Sequence, residues 1–126
     1  MSLHVPLEAA RSVSTPAATM RTLASPTTTP DLDVSVWRTE LPAGSAGPRH
    51  AIDNDQLVVV LSGALRVEVD DASYDVAEGE AVKLPAGSVR AIAAAGAGPA
   101  TTLSVGRPGA RATVGDGDPV PVPWTA

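Results

Sequence analysis

Between positions 34 and 105 the chain reads as short apolar runs separated by turn residues. Leu65, Val67 and Val69 alternate with Arg66, Glu68 and Asp70, a period of two that gives a strand one buried and one wet face. Runs of similar length follow at Ser73 to Val76, Ala81 to Leu84, Val89 to Ala94 and Thr101 to Val105, and Val34, Val36 and Trp37 lie in one before them. The run from Gln56 to Leu61 differs, being apolar and β-branched at successive positions, which predicts a strand buried on both faces. Turn chemistry closes each run: Leu41-Pro42-Ala43-Gly44, Ser62-Gly63, Asp70-Asp71, Glu78-Gly79, Pro85-Ala86-Gly87 and Gly96-Ala97-Gly98-Pro99. Strands so evenly spaced, with no helical stretch between them, predict an all-β antiparallel sandwich or barrel.

The flanks have another character. Residues 1–30 are rich in Ser, Thr, Ala and Pro and are broken by Pro6, Pro16, Pro26 and Pro30, so they read as an arm with one weakly patterned strand at Thr19 to Ala24. Residues 31–107 form the predicted barrel, and residues 108–126 a Pro- and Gly-rich C-terminal arm. Val120-Pro121-Val122-Pro123-Trp124 is too proline-rich for a central strand, so Trp124 is expected to dock an extended segment onto an apolar surface.

Composition narrows the chemistry. The 126 residues suit one domain, and with Trp37, Tyr74 and Trp124 as the aromatics and no Phe, the core must be aliphatic. The absence of Cys removes thiolate metal sites, cysteine nucleophiles and disulfides. A net charge of -5 argues against nucleic acid or an anionic membrane as a partner. The longest apolar stretch, Leu57 to Leu61, is far short of a membrane span, and the N-terminus carries no signal-peptide pattern, so a cytoplasmic protein is expected.

Two spaced motifs sharpen this picture. The first places Gly44, His50, Ile52, Gln56 and Gly63 at intervals of five, one, three and six residues; the second places Gly79, Pro85, Gly87, Arg90 and Ala94 at intervals of five, one, two and three. Fifteen residues separate Gly63 from Gly79. The arrangement resembles the cupin superfamily, whose motifs are G-x5-H-x-H-x3-E-x6-G and G-x5-P-x-G-x2-H-x3-N. The resemblance spans Val34 to Val105 and implies a single-domain antiparallel β-barrel of the jelly-roll, or double-stranded β-helix, type. Every glycine and the proline keep the family spacing, whereas the metal ligands do not. His50 is the only retained ligand of the family, with Ile52, Gln56 and Arg90 standing where it has histidine, glutamate and histidine.

Ile52 cannot ligate, Gln56 offers a neutral carbonyl oxygen and Arg90 is a fixed cation, so a divalent metal is disfavoured and no cofactor is expected. If Arg90 points inward as the family's histidine does, its charge needs an anion. A small anionic molecule would supply one, with His50 and Arg90 as the candidate catalytic residues. By parity Gln56, Val58 and Ile92 would line the same pocket, as would Ile52 by its place in the motif. The plainer alternative turns Arg90 to the rim, to pair with Asp53, Asp55 or Glu80.

Three functions are consistent with these residues. The first is a metal-free small-molecule-binding domain, in one form an acid/base isomerase, epimerase or cyclase in which His50 moves a proton and Arg90 and Gln56 hold the anion. The second is a metal-dependent oxygenase or isomerase using His50 with non-family ligands. The third is a non-catalytic structural or regulatory module. The resemblance also implies a homodimer, with the segment 17–25 able to cross to the edge strand of a partner.

Overall fold

The computed structural model describes residues 3–126; residues 1 and 2 of the N-terminal arm lie outside it. The described residues form twelve strands in order: β1 (Arg11–Ser14), β2 (Thr19–Ala24), β3 (Ser35–Leu41), β4 (His50–Ile52), β5 (Gln56–Ser62), β6 (Leu65–Val69), β7 (Ala72–Val76), β8 (Ala81–Leu84), β9 (Val89–Ala94), β10 (Ala100–Gly106), β11 (Arg111–Thr113) and β12 (Val120–Pro121). Single 3-10 turns occupy Leu7–Ala9 and Pro123–Thr125. Two six-stranded antiparallel sheets result, one ordered β1-β2-β3-β10-β5-β8 and the other β12-β11-β4-β9-β6-β7. This is the all-β antiparallel architecture expected from the alternation and turn spacing, in the jelly-roll form that the motif resemblance implies.

Alternation decides which side chains meet between the sheets. From the first sheet come Val58 and Val60 of β5, Val82 and Leu84 of β8, Leu41 and Ala100; from the second come Leu65 and Val67 of β6 and Val76 of β7. All are at most 8% exposed. Val60 lies opposite Thr102, and Val58 lies between Ser104 and Val82. Gly63, on the left-handed side of backbone space at φ 78°, turns β5 into β6 so closely that an added Cβ would meet the Pro99 carbonyl oxygen and stand 2.9 Å from Ala100 Cα. Only glycine fits both constraints there.

Both arms fold back onto the barrel. β2 pairs with β3 of its own chain, with Met20 opposite Thr39 and Thr22 opposite Trp37, and β1 adds outside it. β1 was not legible in the sequence, because Arg-Ser-Val-Ser is short and carries a single apolar residue. The C-terminal arm docks through Ile52, Ala110 and Val122, with half-buried Trp124 against them, as its proline-rich pattern and lone aromatic led us to expect. Buried hydroxyls fasten it: Ser35 Oγ donates to Thr125 O at 2.6 Å and Thr22 Oγ1 to Trp124 O at 2.9 Å.

One expectation fails in the single chain. β5 is buried on one face only, since Leu57 and Leu61 of its outer face are 42% and 41% exposed.

Candidate functional site

The strongest chemical feature of the interior is Arg90. Its inward orientation follows from its phase in β9, where Val69 of β6 lies opposite it on one side and His50 of β4 on the other. The residue is 1% exposed. Every hydrogen bond it makes is to a neutral group: Nε donates to Ser88 O at 3.2 Å, Nη1 to Gln56 Oε1 at 3.3 Å, and Nη2 to Pro85 O at 3.0 Å and Ser88 Oγ at 3.3 Å. Among the described residues no carboxylate forms an ion pair with it. Burial pushes its pKa below the ordinary arginine value, and the charge of Asp70 offsets part of that shift.

The rim alternative is not what the structure contains. Asp53, Asp55 and Glu80 each accept a hydrogen bond from backbone instead, from Arg111 N, Ala86 N and Ala77 N. One of these contacts bears on the site indirectly, together with two bonds made by the neighbouring turn. The Asp55 carboxylate holds Ala86 N at 2.8 Å, Ile52 O accepts from Gly87 N at 2.8 Å, and Ser88 Oγ donates to Pro85 O at 2.6 Å. The turn from 85 to 88 is thereby fixed, and it supplies three of the four acceptors for Arg90. Ser88 is the site residue that sequence reasoning passed over. It reads as one more turn serine, and only its approach to Arg90 in space distinguishes it.

Gln56 heads β5 at 8% exposed, opposite Leu84 and Gly106. An added Cβ on Gly106 would lie 3.3 Å from Gln56 Cγ and 3.5 Å from Trp37 Cη2, so that glycine leaves the room the amide occupies. A guanidinium can only donate, so the amide turns Oε1 to Arg90 and keeps both Nε2 hydrogens for another acceptor. Nη1 of Arg90 likewise spends one of its two hydrogens on Gln56.

His50 is half-buried, and its Nδ1 lies 2.9 Å from Pro48 O. A carbonyl accepts only, so Nδ1 donates to it and Nε2 is the ring position left to face other partners. Val58 and Ile92 sit together in the main core. Ile52 instead packs in the separate cluster under the C-terminal arm, so it holds the arm rather than standing among the side chains around Val58. The structure therefore unites Arg90, Gln56 and Ser88, sets His50 beside Arg90, and takes Ile52 elsewhere.

The donor set does not fit a divalent metal. Among the described residues no three of His, Asp and Glu are grouped to hold one, and the inward positions carry one imidazole, one neutral amide and one permanent cation, which repels a metal ion. Two concavities of the described surface, about 470 and 360 Å3, lie along Tyr74 to Lys83 and beside His4 to Arg11, and neither includes His50, Gln56 or Arg90. No helix among the described residues is long and apolar enough to cross a membrane.

Comparison with known proteins agrees with this architecture. A protein of unknown function from Streptococcus pyogenes is 28% identical and superposes with a TM-score of 0.60, over 75% of this chain and 76% of that one. A sugar phosphate isomerase of the cupin superfamily from Silicibacter pomeroyi is 22% identical, with a TM-score of 0.70 over 90% of this chain and 82% of the other. A cupin-2 domain protein from Rhodospirillum rubrum is 15% identical, with a TM-score of 0.73 over 95% and 80%. The last two likenesses are of fold alone. No curated protein matches the sequence. The Cupin domain family matches residues 37–106, from Trp37 in β3 to Gly106 in β10. With that match over more than half its length, and with the motif glycines at the turns of a two-sheet jelly-roll, the chain belongs to the cupin family.

Proposed function

We propose that this cupin is a cytoplasmic, metal-free protein that binds a small anionic molecule, its Arg90 guanidinium supplying the positive charge that a metal would otherwise bring. The observation that carries this reading is a nearly inaccessible arginine bonded to neutral acceptors alone. Desolvating a cation without an ion pair is costly, and an anionic ligand would lower that cost on binding. The donors left for a carboxylate, phosphate or enolate oxygen are the second Nη1 hydrogen of Arg90 and the Nε2 hydrogens of Gln56.

His50 adds a proton acceptor. With Nδ1 committed to Pro48 O, Nε2 is poised to take a proton from a carbon or hydroxyl next to the bound anion, and Arg90 and Gln56 would stabilise the charge that develops. That is the chemistry of an acid/base isomerase, epimerase or cyclase. In a protein that only binds, the same atom accepts a hydrogen bond.

The test is calorimetric titration of metal-stripped protein with small carboxylates and phosphate esters, alongside native mass spectrometry of freshly purified protein. Binding that is lost in Arg90→Met and retained when chelator is added supports the reading. One metal per chain, lost in His50→Ala, overturns it. A second reading has an observation in its favour too: the 85–88 turn engages Arg90 closely and aliphatic side chains fill the space around Val60. On that reading the protein is a structural or regulatory module, and neither ligand nor metal is found.

A further inference from the structure

Arg90 is 1% exposed and neither of the two concavities includes it, so a ligand for its guanidinium needs a way in. Of the residues that bond the guanidinium, Gln56 is buried and the others, Pro85 and Ser88, belong to the turn from 85 to 88. That turn carries the chain from β8 of the first sheet to β9 of the second, and its Pro85, Ala86 and Gly87 are exposed. A single layer of residues thus lies between the guanidinium and solvent.

The roots of the turn are fixed and its crown is not. On one side Leu84 pairs with Gln56. On the other, Val89 N donates to Asp70 Oδ1 at 3.0 Å, Val89 O accepts from Asp70 N at 2.8 Å, and β9 is held between β4 and β6. The crown packs against nothing, since a Cβ added to Gly87 would meet no atom within 4 Å. Apart from its contacts with Arg90, two hydrogen bonds hold it down: Asp55 Oδ1 accepts from Ala86 N and Ile52 O from Gly87 N, each at 2.8 Å. The first depends on a side chain that is 65% exposed, with Lys83 Nζ 3.9 Å from its other oxygen, so water competes for it. Segments held by a few exposed bonds open locally at a fraction of the cost of global unfolding.

We propose that the 85–88 turn is a gate over Arg90 and that Asp55 is its latch. This rests on the anion-binding reading of Arg90 and adds the route by which the anion enters. When the turn lifts, Pro85 O and Ser88 Oγ leave Nη2, while Ser88 O, in the peptide that Asp70 pins, stays on Nε. Both Nη2 hydrogens then join the spare Nη1 hydrogen, and donors on these adjacent nitrogens can take a carboxylate or phosphate in two parallel bonds. Because β9 stays in its sheet, Arg90 keeps its place beside Gln56 and His50. With the turn closed, its oxygens satisfy the cation while no ligand is bound.

The test reads access to Arg90 directly. Wild type, Asp55→Ala and Asp53→Ala are treated with phenylglyoxal, with and without acetate or inorganic phosphate, and modification of each arginine is followed by peptide mass spectrometry. Asp53 is the control, since its carboxylate accepts from Arg111 N on the C-terminal arm rather than from the turn. Arg90 is expected to react slowly in wild type and about five- to tenfold faster in Asp55→Ala, the effect of losing one exposed hydrogen bond to a carboxylate. Asp53→Ala should match wild type, and the exposed Arg66 should react alike in all three. Equal Arg90 rates in the two aspartate variants overturn the gate. So does a wild-type rate that rises with urea only in step with the fluorescence change of Trp37, because access would then require global unfolding. The anions test the reading on which the gate rests: acetate or phosphate that slows modification of Arg90 supports it, whereas fast modification of Asp55→Ala that neither anion slows overturns anion binding and not the gate. Should Asp55→Ala misfold, hydrogen exchange of the wild type decides. The Gly87 N–H should exchange well before that of Asp70, which bonds the root of the turn, and a common rate for the two overturns the gate.

Discussion

Replacing Arg90 by methionine separates a functional cation from a structural staple. The guanidinium makes four hydrogen bonds of 3.0 to 3.3 Å. At about 1 to 1.5 kcal/mol each, the lower end for a charged donor because the bonds are long, they contribute roughly 4 to 6 kcal/mol. Against this stands the removal of a cation from water, which costs several kcal/mol in a real protein, with Asp70 returning a part. The two nearly cancel. Pro85 O keeps its bonds from Ser88 N and Ser88 Oγ when the arginine is gone, and Ser88 Oγ, which loses Nη2, still donates to Pro85 O; the losses that matter are at Gln56 Oε1 and Ser88 O, and the Gln56 amide can rotate. Arg90→Met, which keeps the apolar volume, should therefore lie within about 1 kcal/mol of wild type. Arg90→Ala opens a cavity and should lie about 2 to 4 kcal/mol below Arg90→Met. Urea unfolding followed by fluorescence of the buried Trp37 measures both, provided the two midpoints are compared at similar slopes. If Arg90→Met loses as much stability as Arg90→Ala, the hydrogen bonds outweigh the charge burial. Arg90 is then the clasp of the 85–88 turn, and the argument that it awaits an anion collapses.

The remaining expectations test other parts of the account. Because the folded-state pKa of Arg90 is lowered, its burial penalty is constant while the group is charged in both states and is relieved only above the folded pKa. Arginine remains protonated across the working range, so the stability difference between Arg90→Met and wild type should be the same at pH 5.5 and 8.5; a slope between them would implicate another group. Gly63→Ala combines a left-handed backbone with a clash on Pro99 and Ala100 and should cost more than about 3 kcal/mol. Gly79→Ala, at φ 83° with open space around it, should cost only the 1 to 2 kcal/mol of backbone strain, and equal losses would refute the packing argument. Thr125→Val removes the acceptor for the buried Ala110 N–H and the donor to Val122 O, and should cost about 1 to 3 kcal/mol with faster hydrogen exchange in the C-terminal arm. Unchanged exchange there would mean that apolar docking of Trp124 alone holds the arm.

Much of the fold was legible because its determinants are local. A period of two fixes which side of β6 is buried, and glycine at a left-handed turn or proline at a strand end can be read without a partner strand in view. The motif spacing then set which inward positions would share one region, and so Arg90, Gln56 and His50 were found together. What stayed hidden depends on contacts across the sheets. β1 and β4 are too short to show a period, and β1 exists because β2 offers it an edge. Ser88 belongs to the site through the approach of its turn to a guanidinium, a relation that no spacing rule encodes. Ile52 keeps its motif position, yet it is drawn under the C-terminal arm because an isoleucine gains more from Ala110 and Val122 than from a polar neighbourhood. The two-sided apolarity of β5 was visible in the sequence, but only the tertiary structure could tell which of its faces the chain buries itself. Burial is decided by which surfaces remain once every strand has found its neighbour, and that count closes only when the whole chain is in place.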